Sequence, residues 1–187
     1  HIDLPNLKPN GDFVSYINFI GYNIIDFVEI YIGGTLIDRQ TGEWMYMWNE
    51  LKLSDEKKKL NNKMVGGYDF KNYNSRIGNK GGSYIVPLNF WFCNDISQSI
   101  PLVALQYSDV EFKIKFKKFD DLWLSSDGNP PIGEYKISNF QISVEYVYLD
   151  TKERKLFAKS NHEYLIKQIQ YSLYNNILEK QNKRIFN

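Results

Sequence analysis

The sequence predicts an all-β protein, an antiparallel β-sandwich with two long loops and short capping helices, and three observations predict it. The most apolar stretch, Tyr84 to Asn94, is followed after a short polar break by Ile100 to Tyr107. Both pieces are too short and interrupted to cross a bilayer, and Pro87 and Pro101 sit near their starts, so they read as two buried strands. Directly afterwards Val110, Phe112, Ile114 and Phe116 alternate with Glu111, Lys113, Lys115 and Lys117, the period of a strand with one wet face. The same period returns at Phe140, Ile142, Val144, Tyr146 and Tyr148.

Before this centre, Ile2 to Leu7 supplies the end of a strand, closed by Pro9-Asn10-Gly11-Asp12. Phe13 to Tyr22 is open between helix and extended chain. In Ile24 to Ile32, Val28, Ile30 and Ile32 fall on one side and Phe27, Glu29 and Tyr31 on the other, and Gly33-Gly34 then lets the chain turn before pairing resumes at Thr35. From Thr41 the spacing becomes helical: Trp44, Met47, Trp48 and Leu51 form one face of a helix that caps the sandwich. Ser54, with Asp55 and Glu56, starts a second helix with Leu60 and Met64 facing inward and Gly66-Gly67 at its end.

Tyr68 to Ser83 has no apolar period and reads as a long exposed loop; Asp120 to Gly133, with Asp127-Gly128-Asn129-Pro130-Pro131, is the second. Asp150 with Glu153 has the form of a capping box opening a short helix through Ala158. His162 to Gln170 fits strand and helix equally by period.

Composition narrows the function classes. The 187 residues allow one well-buried core, and 23 basic against 22 acidic residues leave no global field for nucleic acid or an anionic membrane. The single cysteine, Cys93, excludes an internal disulfide, fits a reducing compartment and reads as a buried inert thiol among Phe90, Trp91 and Phe92. No Asn-x-Ser/Thr sequon occurs. The chain starts at His1 without a leader pattern and ends in the mixed segment Tyr171 to Asn187, which reads as a fragment.

No catalytic, cofactor-binding or metal site is expected. His162 beside Glu163 lacks the second histidine of a zinc motif, and one cysteine cannot build a sulfur-rich site. Glu43 with Glu50, or Asp120 with Asp121, could pair as glycosidase acids, but a solvated face explains them. Gly66-Gly67 and the Gly78 to Ser83 cluster lack phosphate-loop spacing, and the runs Lys57-Lys58-Lys59 and Lys113 to Lys118 read as solvated faces without interleaved aromatics.

The run Pro87-Leu88-Asn89-Phe90-Trp91-Phe92-Cys93-Asn94 with Ile100 to Tyr107 resembles the first jelly roll of the major capsid proteins of nucleocytoplasmic large DNA viruses. Val28 to Gly34 through Ile37-Asp38 to Gly42-Glu43-Trp44 and Trp48 to Leu51, and Val144 to Asp150 through Glu153-Arg154 to His162-Glu163-Tyr164-Leu165-Ile166, extend the resemblance in the same order. It implies a jelly-roll sandwich, the incomplete N-terminal half of a double jelly roll, with residues 1–170 lacking their first strand or strands and residues 171–187 leading to a second jelly roll. It further implies a structural protein of the virion capsid, assembled in the host cytoplasm as homotrimeric, pseudo-hexagonal capsomers of an icosahedral shell. Partners would be itself, neighbouring capsomers and minor capsid proteins; an internal viral membrane would lie nearby without a spanning segment, and nucleic acid would not be contacted directly. Within it, Phe90, Trp91, Phe92, Leu105, Phe112, Ile114, Phe140, Ile142 and Val144 are expected in the core. Trp44 and Trp48, with the Tyr68 to Ser83 loop, are expected at subunit or outer-surface contacts. A carbohydrate-binding jelly-roll module is the alternative, suggested by 14 tyrosines, and a glycoside hydrolase on Glu43 and Glu50 a third reading.

Overall fold

Strand β3 (Ile25–Ile32) forms the middle of a three-stranded antiparallel sheet, between β4 (Thr35–Thr41) and β6 (Val110–Phe116). The computed structural model describes residues 1–68 and 80–170. Gly33 and Gly34 take φ of 57° and 76°, and two consecutive left-handed residues make the two-residue turn whose twist matches the paired strands. Val28 and Ile30 are fully buried, with Ile114 and Phe112 directly opposite on the same face. The other face carries charge that finds partners within the sheet: Lys115 pairs with Asp26 at 2.8 Å, Arg39 with Glu29, and Lys113 Nζ stands over the Tyr31 ring, 3.9 Å from its centre.

A second antiparallel sheet has β1 (Ile2–Leu4) between β5 (Gly82–Tyr84) and β8 (Asn139–Phe140), and β2 (Val14–Tyr16) pairs with β7 (Trp123–Ser125). The open segment before Tyr22 thus divides into β2 and the short helix α1 (Ile20–Asn23).

Helices α2 (Gly42–Lys52) and α3 (Asp55–Val65) close one end. The Thr41 hydroxyl accepts from Trp44 N at 3.2 Å and caps α2. Ser54 stands at the start of α3, but its side chain makes no cap bond; Gly66 ends the helix at φ 78°. The inward faces differ from those the spacing predicts. Helix α2 buries Gly42, Met45 and Asn49, while Met47 and Leu51 are exposed; α3 buries Asn61 and Val65 and leaves Leu60 and Met64 outside. Tyr22 decides this: its buried hydroxyl accepts from Asn49 and donates to Asn61, which turns those faces inward. A Cβ on Gly42 would stand 2.1 Å from Tyr22 O, so only glycine fits there.

The region expected to form two buried strands is mostly turns. Beyond β5 the chain makes 3₁₀ turns at Trp91–Cys93 and Ile96–Gln98, and Ala104 N bonds Pro101 O at 2.8 Å in a further turn. Pro87 and Pro101 carry no N–H for a ladder, and the turn sends the neighbours Phe90 and Trp91 into one core, which a strand would place on opposite faces. Phe92 and Leu105 are half-buried, as are Phe112 and Ile114. Cys93 corrects its expectation: it faces outward, and partial desolvation against the turn pushes its thiol up.

Phe140, Ile142 and Val144, expected in the core, are exposed. Alternation states which residues share a face but not what covers it, and beyond Phe140 this segment belongs to no strand. Helix α4 (Thr151–Lys159) starts as its cap predicts, with Asp150 Oδ1 accepting from Glu153 N at 2.8 Å. Residues 161–170 enter neither strand nor helix. Most of the expected Tyr68 to Ser83 loop, and the 171–187 connector, lie outside the described residues.

Candidate functional site

Among the described residues, two outward apolar strips and one groove stand out as surfaces. The first strip lies on α2. Trp44 and Trp48, one helical turn apart, stack with ring centroids 5.3 Å apart, each half-buried. Lys52 Nζ lies 5.0 Å from the Trp48 ring, Leu51 is 84% exposed, and the Trp44 indole N–H is buried without a partner. Glu50 and Lys58 pair at 3.4 Å across α2 and α3 and hold this surface in one piece. The second strip is the chain after Phe140.

The groove, about 420 Å³, lies between the β3–β4 hairpin, the turns of residues 91–105 and the chain after α4, lined by Ile32, Ile37, Trp91, Ile100, Leu105 and His162 among others. Next to Ile37, β4 carries two buried polar residues that sequence reasoning passed over, because strand alternation alone does not mark polar residues for burial. Asp38 and Gln40 face the core side of β4. Gln40 Oε1 accepts from Asn89 N at 3.3 Å, and Asp38 Oδ1 accepts from Arg39 N at 2.9 Å and Ile169 N at 3.4 Å. Gln168 adds a bond to Ile37 O. Burial raises the Asp38 carboxyl above its ordinary range, against the pull of these hydrogen bonds.

The candidate catalytic groups are either engaged elsewhere or stand in solvent. Burial alone would raise Glu43, but its hydrogen bonds, chiefly from Lys117, outweigh this and hold it below the usual carboxylate range. Glu50 is in its own ion pair, and Asp120 and Asp121 sit in an exposed turn. His162 Nε2 lies 2.7 Å from Phe157 O, a local bond after α4. Among the described residues no group of three or more His, Cys, Asp or Glu is placed to hold a metal ion.

A constellation the sequence did not suggest joins His1, Asp3 and Ser83. Ser83 donates to Asp3, His1 Nε2 lies 3.0 Å from the Ser83 hydroxyl, and Asn139 donates to the other Asp3 oxygen at 3.1 Å. A hydrolytic triad needs the carboxylate on the histidine and the histidine on the serine proton. Here Asp3 Oδ1 stands 3.5 Å from His1 Nδ1, which makes no hydrogen bond, and the carboxylate takes the serine proton itself; the cluster ties β5, β1 and β8 together. These bonds, Ser83 first, hold Asp3 below its usual range.

Among the described residues no helix is long and apolar enough to cross a membrane. The tryptophans of α2 stack on each other, not as a free platform for a sugar ring.

Comparison with known proteins places the chain in a family. Capsid protein 1 of Acanthamoeba polyphaga mimivirus is 31% identical over 188 residues, covering 91% of this chain and 32% of that protein. The major capsid protein of Phaeocystis pouchetii virus is 31% identical, covering 89% and 38%, and that of Pyramimonas orientalis virus 33% identical, covering 81% and 37%. The chain thus spans about a third of the length of these relatives. Two solved capsid structures share the fold at TM-score 0.63: PBCV-1 VP54, fitted into a reconstruction of the virophage Sputnik, at 22% identity over 90% of this chain and 41% of that one, and a quasi-atomic PBCV-1 capsid at 24% over 90% and 38%. The fold is a jelly-roll β-sandwich with short capping helices. A family model described as the major capsid protein N-terminus matches residues 1–150, so the chain belongs to the major capsid protein family of large DNA viruses.

Proposed function

We propose that this chain is the first jelly-roll part of a major capsid protein subunit, a structural and non-enzymatic building block. Its subunits assemble as homotrimers of pseudo-hexagonal outline that tile an icosahedral shell. Residues 1–170 form the first sandwich and residues 171–187 lead toward a second. The observation that carries this reading is the outward face of α2: stacked Trp44 and Trp48 beside exposed Met47 and Leu51 form an apolar strip larger than this sandwich covers. Trp44 and Trp48 act as subunit contacts in this reading. Neighbouring capsomers and minor capsid proteins are the further partners, assembly takes place in the host cytoplasm, and an internal membrane is approached without being crossed. Nucleic acid is not a direct partner, which the pairing of Lys113, Lys115 and Lys117 within the fold supports.

Light scattering on the product of the complete reading frame tests this. A trimer of chains two to three times this length is expected; a stable monomer would overturn the proposal.

A further inference from the structure

Asn10-Gly11 is the only Asn-Gly pair in the sequence, and Asp127-Gly128 the only Asp-Gly pair. The fold brings the two together. Ile132 N donates to Lys8 O at 2.9 Å and Ser126 N to Phe13 O at 3.2 Å, so the stretch Pro9 to Asp12 is pinned at both ends beside the loop that carries Asp127. Between the pins all four residues are exposed, and they make no hydrogen bond among the described residues. The side-chain amide of Asn10 and the backbone N–H of Gly11 are therefore both unengaged.

The fold also requires the glycine. Gly11 takes φ 142°, which side chains rarely adopt, and the Asp127 carboxylate stands where a Cβ would go. A residue without Cβ leaves its own nitrogen open to the side chain before it. We infer that Asn10 is a site of spontaneous deamidation through the Gly11 nitrogen. The Gly11 amide gives its proton to solvent, and its nitrogen attacks Asn10 Cγ. A C–N bond closes a five-membered imide, the C–N bond to the side-chain amide breaks, and ammonia leaves with a proton from water. Water then adds to either imide carbonyl and opens the ring, giving aspartate or isoaspartate at position 10.

The same chemistry is blocked at the neighbouring candidates. Asp127 Oδ2 accepts from Asn129 Nδ2 at 2.7 Å and Oδ1 from Asn129 N at 3.3 Å, and these bonds, the side-chain one first, hold its carboxyl below the usual range. An ionised carboxylate offers no leaving group to an attacking nitrogen. Asn129 precedes Pro130, whose nitrogen carries no hydrogen and cannot close the ring. Asn139 precedes the bulky Phe140, and its amide donates to Asp3 at 3.1 Å. The product at position 10 is a carboxylate close in sequence to Asp12 and next to the glycine on which the Asp127 carboxylate lies, so like charges there repel.

The site stands apart from the assembly reading, and its test reads covalent change, not trimer formation. The complete subunit is incubated at mildly alkaline pH and Asn10 is followed by peptide mass mapping, with the free peptide Lys8 to Phe13 as reference. Conversion at Asn10 is expected to run about tenfold or more faster than at Asn139, with oxygen taken up from labelled water and isoaspartate among the products. Asn10→Gln would need a six-membered ring, so it should remove the acidic shift in isoelectric focusing and leave the circular dichroism spectrum unchanged. An Asn10 that stays intact in the folded subunit while the free peptide converts, or an acidic shift undiminished in Asn10→Gln, would overturn the inference.

Discussion

Asn49 Nδ2 donates to the Tyr22 hydroxyl at 2.5 Å, and that hydroxyl donates to Asn61 Oδ1 at 2.9 Å. One buried phenol therefore joins α1, α2 and α3 and orients the helix that carries Trp44 and Trp48. Tyr22→Phe leaves two buried amide side chains without their partner, and a loss of about 1–3 kcal/mol is expected. Urea unfolding should show a lower midpoint with an unchanged slope.

The contact of Gly42 with Tyr22 O is backbone against backbone and cannot be relieved by a rotamer change. Gly42→Ala is expected to cost about 3 kcal/mol or more. Gly34 has nothing within 4 Å of an added Cβ but takes φ 76°, so Gly34→Ala should cost only about 1–2 kcal/mol, from backbone strain. Thermal melts of the two variants would rank them; equal losses would disprove the steric argument.

Trp48 separates assembly from folding. In the complete subunit, Trp48→Glu should shift the native mass from trimer toward monomer while the circular dichroism spectrum stays as it was. Loss of both together would place Trp48 in the core of the monomer.

Asp38 makes stability depend on pH. Its carboxyl is raised by burial, so the fold favours the protonated form. The corresponding stability is fully present below the ordinary carboxylate value near 4 and is lost as pH rises through the raised value. Asp38→Asn keeps an acceptor for Ile169 N and removes the charge. The difference in urea midpoint between variant and parent should move in the variant's favour between pH 4 and pH 7; a constant difference would show that Asp38 is not the group responsible.

Local chemistry was legible in the residues. The alternation in 25–32 and 110–116 required two strands, Gly33-Gly34 a tight turn, and Asp150 with Glu153 a helix start, because neighbours in sequence decide each of these. The two tryptophans of the candidate surface were named for the same reason: their spacing puts them on one helical face.

What the sequence by itself determined was the strand class, the turns, the caps and, through three co-linear motifs, the family. Tertiary structure alone decided which face of α2 turns inward, because Tyr22 reaches Asn49 from another helix. It also decided that Phe90 and Trp91 reach one core through a turn, and that Asp38 and Gln40 are buried to hold Ile169 and Asn89. Periodicity records which residues share a side, whereas burial depends on partners distant in the chain, so the alternation through Phe140, Ile142 and Val144 did not decide that these side chains are exposed.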